Sequence, residues 1–138
     1  MPMNFQLDVV SITGKVFSGE VAGITLPGIS GEFTSYARHM RMVTPLTTGE
    51  VVIREAGKTR SFSIGKGIFA FDAEGGRLLI EDVAAADEIS ETRVLEAKKR
   101  AEELLAKGVS GEEKIAALNQ LRRSLVDLKI VRKKRKVF

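Results

Sequence analysis

The chain predicts a mixed fold, an antiparallel β-sandwich or barrel followed by an antiparallel two-helix hairpin. Three observations carry this. Up to about Val83, apolar residues recur at every second position in short runs broken by turn residues, the pattern of half-buried strands. Beyond Ile89 they recur at three- and four-residue steps, the pattern of helices with one apolar stripe. The charge also changes sign there: residues 1–88 hold 8 Lys/Arg and 11 Asp/Glu, net −3, and residues 89–138 hold 14 and 7, net +7. A boundary near residue 88 follows, with a sandwich over 1–87 and a hairpin over 88–138.

In the first part, Phe5, Leu7, Val9 and Ser11 share one side of an opening strand, and Val21 to Leu26 form a second, ended by Pro27-Gly28. Met40, Met42 and Thr44 alternate with Arg41 and Val43 until Pro45. Val51 and Ile53 alternate with Val52 and Arg54, then Ala56-Gly57-Lys58 turns the chain into Arg60, Phe62 and Ile64. Ile68 to Ala73 is another short apolar run. Glu74-Gly75-Gly76 predicts a hairpin turn, because glycine accepts positive φ, and it leads into Leu78, Ile80 and Asp82 alternating with Leu79, Glu81 and Val83. Most of the 13 glycines lie in this part, as turn and bulge positions.

In the second part, Asp87 or Ser90 can cap a helix whose positive end suits Glu88 and Glu91. Val94, Ala97, Ala101, Leu104 and Leu105 predict its stripe, and Gly108 its end. Ser110 with Glu113 reads as a capping box opening a second helix, whose expected stripe is Ile115, Leu118, Leu121, Leu125 and Leu128. The short connection makes the helices antiparallel neighbours. Both stripes are narrow, so each helix covers the other and little is left to hold the hairpin on the sandwich.

Several function classes lose support. The chain has no cysteine, hence no disulfide and no thiolate metal site. No apolar run reaches the roughly 20 residues that cross a bilayer, and MPMNFQ lacks the features of a signal peptide. The single histidine, His39, has no nucleophile pattern beside it and reads as a surface or interface residue. GISGE at 28–32 and GKGIF at 65–69 lack phosphate-loop spacing, and the neighbours Glu81 and Asp82 point to opposite faces of a strand. Met40 and Met42 read as core filler or as a contact surface. The run RKKRK at 132–136 reads as a solvated helix end or protein contact, since its lack of interleaved aromatics gives base stacking no support. A non-catalytic role is expected.

The opening Leu7 to Ser11 (LDVVS), Phe17 to Gly19 (FSG) and Gly28 to Glu32 (GISGE) resembles the start of the epsilon subunit of rotary, F-type ATP synthases. The resemblance continues through the segment holding Gly31, Glu32, His39, Thr44, Leu46 and Gly49, through SIGKGIFAF at 63–71, IEDVAAADEIS at 80–90 and RVLEAKKRAEE at 93–103. It implies a ten-stranded sandwich followed by a helical hairpin. It also implies a central-stalk rotor subunit that couples proton- or sodium-driven rotation to ATP synthesis, with the hairpin inhibiting ATP hydrolysis. Implied partners are the gamma subunit, the ring of membrane c subunits and, through the hairpin, the catalytic alpha and beta subunits. The implied place is peripheral, at the cytoplasmic face of a bacterial inner membrane, without insertion and without nucleic acid. Interface residues suggested by this resemblance are Glu32, Tyr36, His39, Met40, Arg122 and Arg123.

The chain departs from the family at two places. Ala37-Arg38 and Met40-Arg41 replace the Pro-Gly and Ala-Pro around the histidine, adding charge and removing a rigid turn. In the hairpin, Arg93 and Arg100 match phosphate-side arginines of an ATP-binding motif found in some members, but Ser90 and Val94 replace its aspartate and alanine. No resident cofactor is therefore expected, and Arg93 and Arg100 are the positions a regulatory ATP would contact. A basic adaptor binding nucleic acid through the helical half, and a small enzyme, are the alternative classes.

Overall fold

The computed structural model describes residues 4–37, 41–85 and 89–135, with side chains through residue 132. The chain divides into two compact units, Met1–Ala84 and Ala85–Phe138. Ten strands come first: β1 (Phe5–Ser11), β2 (Gly14–Val21), β3 (Gly23–Gly28), β4 (Gly31–Tyr36), β5 (Met42–Leu46), β6 (Gly49–Glu55), β7 (Lys58–Ile64), β8 (Gly67–Asp72), β9 (Gly75–Ile80) and β10 (Val83–Ala85). Two helices follow, α1 (Glu91–Ala106) and α2 (Glu112–Arg135).

The strands form one curled sheet in the order β10-β7-β6-β3-β5-β8-β9-β1-β2, with β4 on β3. The strand pairings whose register lies wholly within the described residues are antiparallel except one: β1 runs parallel to β9, Leu7 opposite Gly76 through Ser11 opposite Ile80. β3 is the corner, pairing β6 through Gly23–Thr25 and β5 through its last residue, Gly28 opposite Leu46. The curl brings β2 over β7, where the Arg60 guanidinium carbon lies 5.5 Å from the centre of the Phe17 ring. Glu55 fixes that arginine through a 2.5 Å bond to its Nε.

The inward face is mainly apolar, with Ser35 and Ser63 buried beside it. Leu7, Val9, Val21, Ile24, Leu26, Val51, Ile53, Ile64, Phe69 and Leu78 are fully buried in one cluster. Phe5 meets Phe71 edge-on at 5.1 Å, and Phe69 links Phe71 to Phe33. Edge-on aromatic contact adds to the area these rings bury.

Three strands were not visible as alternating runs. β2, β4 and β10 carry glycine, serine, alanine or charge where a strand pattern needs apolar residues. The expected strand Val21–Leu26 is broken at Ala22, whose N–H donates to the Arg54 carbonyl at 2.7 Å, so Val21 ends one strand and Gly23 opens the next. In the helical unit Ser90 caps α1, its Oγ accepting the Arg93 N–H, and Lys107 is the C-cap, followed by Gly108 at φ +78°. The Ser110–Glu113 capping box does not form. α2 begins one residue later than that box requires, with the Gly111 carbonyl taking the Ile115 N–H at 3.1 Å.

Two substitutions test this packing. The Ser35 hydroxyl is fully buried with no hydrogen-bond partner among the described residues. Ser35→Ala is expected to raise unfolding stability by about 1 kcal/mol, because it removes an unmet desolvation cost. Gly75 has φ +125°, and a Cβ there would stand 2.2 Å from the Gln6 carbonyl oxygen. Gly75→Ala is expected to cost about 2 kcal/mol or more. Urea unfolding reads both, and a destabilised Ser35→Ala or an unaffected Gly75→Ala contradicts the packing described.

Candidate functional site

The body carries its exposed chemistry on the outward side of the sheet. Cross-strand register places Pro45, Ile68, Leu79 and Val10 in one row across β5, β8, β9 and β1. Ile68 is 46% and Leu79 53% exposed, and Val43, one row away, is more exposed still. Ile12, at the β1–β2 turn, shares a shallow groove with Ile68 and Leu79 of this row, bounded by Lys66 and Glu81. Scattered exposed apolar residues need no explanation, but a contiguous row across four strands marks a contact surface. The signal was present in Leu78-Leu79-Ile80, a strand apolar on both faces.

A polar group borders this row. Ser18 Oγ donates to Asp8 Oδ1 at 2.6 Å, and Gln6 Nε2 donates to both Asp8 Oδ1 and Ser18 Oγ. The Ser18 bond is the main reason the Asp8 carboxyl lies below its usual 3.8, with Gln6, Lys15 and Arg77 acting the same way against a smaller effect of desolvation. Asp72 is also lowered, first by the Glu74 backbone N–H and then by Arg77, with a contribution from Arg41. Arg41 and Asp72 line a groove whose floor is Phe5 and Phe71.

Glu32 and Tyr36, expected at an interface, lie on the outward, solvent-exposed side of β4. His39 and Met40 lie outside the described residues, as does Asp87. Among the described residues no cluster of His, Asp and Glu could hold a metal ion, and no helix is long and apolar enough to cross a membrane.

In the hairpin the stripe is rotated from expectation. The residues buried along the described part of α2 are Ala117, Ser124, Leu128 and Ile130, with Leu118 and Leu121 half-buried, and those of α1 are Val94 and Ala101. Ile115 is 59% exposed, and Leu104 and Leu125 are exposed too. Small side chains at Ala101, Ala117 and Ser124 take buried places, while Leu104 and Leu125 lie toward the flanks. Arg122 points to solvent, whereas Arg123 is largely covered and pairs with Asp127 at 3.4 Å. Arg132, the first residue of the basic run, pairs with Glu91 at 3.8 Å; the side chains of the rest of the run lie outside the described residues.

Arg93 and Arg100 are exposed on α1. Arg100 edges a groove between the helices with Ala97, Ala101, Leu104, Glu113 and Ala116. At the neighbouring positions, the Ser90 hydroxyl caps α1 and the Val94 side chain is buried.

These features define a binding module: a β-sandwich with an apolar outer row, followed by a basic helical hairpin. The comparisons agree. Residues 4–86 match the family described as ATP synthase, Delta/Epsilon chain, beta-sandwich domain. The ATP synthase epsilon chain 1 of Methylococcus capsulatus is 33% identical over 137 residues, covering 99% of this chain and 98% of the relative. The epsilon chain of Dehalococcoides mccartyi is 34% identical over 132 residues, covering 95% and 94%. Among solved structures, a chain of the Euglena gracilis mitochondrial ATP synthase has a TM-score of 0.82 at 19% identity, covering 94% of this chain and 81% of that one. A chain of the Tetrahymena thermophila mitochondrial central stalk and c-ring has a TM-score of 0.68 at 12% identity, covering 94% and 97%. The chain belongs to the epsilon-chain family of ATP synthases.

The lowered carboxyls set a pH dependence. A folded pKa below the unfolded value stabilises the fold above the unfolded value, and that stability is lost as pH falls through the folded one. Unfolding stability is therefore expected to drop on acidification below 3.8, and less steeply in Asp8→Asn. Urea midpoints measured down this pH range that fall equally in both proteins would remove Asp8 from the account.

Proposed function

We propose that this chain is a rotor subunit of the central stalk, coupling ion-driven rotation to ATP synthesis, and that its hairpin restrains ATP hydrolysis. The observation that carries the coupling part is the outward row Val10–Leu79–Ile68–Pro45 on a sheet with no catalytic constellation among its described residues. A torque coupler needs a stiff body and a dry contact patch. The closed apolar core supplies the first and this row the second. The occupant proposed for the row is the gamma subunit, and Glu32 and Tyr36 on β4 are proposed to face the ring of c subunits.

The hairpin supports the regulatory part. Its helices bury their seam against each other, so it is a self-contained element of the kind that can occupy two positions differing by a few kcal/mol. Exposed Arg93, Arg100 and Arg122 give it a cationic surface for acidic loops of the alpha and beta subunits, where charge pairing supplies register and steering. With Ser90 and Val94 occupied as described, the proposed regulation involves no nucleotide held by the hairpin. The proposed location is peripheral, at the cytoplasmic face of a bacterial inner membrane.

Two measurements test this. Ile68→Glu with Leu79→Glu is expected to weaken co-purification with gamma about tenfold or more, by placing charge in a desolvated patch. Retention at the native level rejects the row as the stalk contact. Removing residues 89–138 is expected to leave assembly largely intact and to raise ATP hydrolysis, and unchanged hydrolysis removes the inhibitory role while leaving the coupling role standing.

A further inference from the structure

A second surface lies on the outward side of β3, β4 and β6, away from the apolar row. The register aligns Tyr36, Gly23 and Arg54 across these three strands, with Thr34, Thr25 and Val52 in the next row. Arg54 Nη1 donates to Thr25 Oγ1 at 2.6 Å, and the Thr25 and Thr34 hydroxyls share a 2.9 Å hydrogen bond. Thr25 is nearly fully buried. If its oxygen accepted from both neighbours its own proton would be buried without an acceptor, so the consistent sense is Arg54 to Thr25 to Thr34. That sense leaves the Thr34 hydroxyl and the remaining guanidinium N–H groups as donors.

Arg54 differs from Arg123, the other half-buried arginine among the described residues, which faces Asp127. Among the described residues Arg54 has no carboxylate within ion-pair distance. A half-buried cation satisfied only by a neutral hydroxyl is an incomplete pair, since charge-assisted forks to carboxylate are the strong partners of guanidinium. Gly23 completes the arrangement. A Cβ at this position would stand 2.9 Å from the Tyr36 ring, so the ring occupies the space a side chain would take between β4 and β6. It leans across the row toward Arg54, and it is still 57% exposed.

We infer that Arg54, held by Thr25 and Thr34 beside the Tyr36 ring, receives an aspartate or glutamate side chain from a neighbouring subunit. The ligand is a singly charged carboxylate and not a phosphate. Glu32 lies two residues before Thr34 on the outward side of β4, about 7 Å along the strand. A dianion is repelled by that carboxylate more strongly than a monoanion is, and a planar carboxylate matches the fork with half the charge. Tyrosine at the rim, offering apolar area at low entropic cost, is the side chain expected where a partner chain docks.

That a neighbouring subunit supplies the carboxylate rests on the rotor reading, so the test has one arm that does not. In the first arm, the Arg54 Nε–H resonance of the full chain is followed by NMR while sodium acetate replaces sodium chloride at constant ionic strength, with inorganic phosphate as a separate titration. A saturating shift with acetate, larger than with phosphate and lost in Thr25→Val, is expected. No response beyond chloride, or a stronger response to phosphate, overturns the carboxylate assignment. In the second arm, ATP synthase depleted of this subunit is titrated with the full chain. Arg54→Gln is expected to bind about tenfold more weakly, Arg54→Lys to fall between it and the native chain, and Lys58→Gln, which removes the same charge elsewhere, to bind as the native chain does. Native binding by Arg54→Gln overturns the inference. Failure of the native chain itself to bind overturns the rotor reading instead, and the first arm then decides the carboxylate site alone. Thermal unfolding of each variant confirms that folding is retained.

Discussion

The parallel pairing of β1 with β9 is the constraint on which the body depends. It sets the first strand between β9 and β2, so the polypeptide must return across the whole domain before the sheet can close. Closure over so long a loop is entropically costly, and the cost is met by a continuous apolar interior. Phe5, Leu7 and Val9 enter that interior only in this register; a one-residue slip would turn them outward. The absence of a side chain at Gly75 follows from the same constraint, because the β8–β9 turn passes against the backbone of β1 at Gln6.

Once the interior is settled, the outward faces are free to differ, and they do. One side presents the aliphatic row over β1, β5, β8 and β9. The other presents hydroxyls, an arginine and a tyrosine over β3, β4 and β6. Because strand residues alternate faces, both surfaces are projected by the same strands that build the core. A coupling subunit gains from this: contacts mounted on a close-packed sheet transmit displacement without the slack of loops. The aliphatic row offers area without directional demands, and the polar side offers geometry with little area.

The change of period at the end of the body, and the sign reversal of charge with it, carried the two-part architecture into view before any coordinates. What stayed hidden has common causes. β4 is Gly-Glu-Phe-Thr-Ser-Tyr, and only Phe33 and Ser35 face inward, so the alternation lacks apolar contrast. The phase of α2 was misread because leucine outranks alanine in apolarity, whereas close approach of two helices selects the smaller residue. Of the interface residues expected from family resemblance, Glu32 and Tyr36 lie on a surface strand, Arg122 at an exposed helix position and Arg123 in a covered one, while His39 and Met40 lie outside the described residues. The Arg54–Thr25–Thr34 group could not be found from spacing, since residues 25, 34 and 54 become neighbours only through register across three strands.

The narrow seam of the hairpin has a further consequence. Val94, Leu128 and Ile130 are its large buried side chains, so it removes far less apolar area from water than the interior of the strands does. Such an element opens locally at far lower free energy than a barrel-like core does. Backbone amides of α1 and α2 will therefore exchange with solvent through sub-global openings that leave the strands protected, and a protease will nick the arm long before it can enter the body.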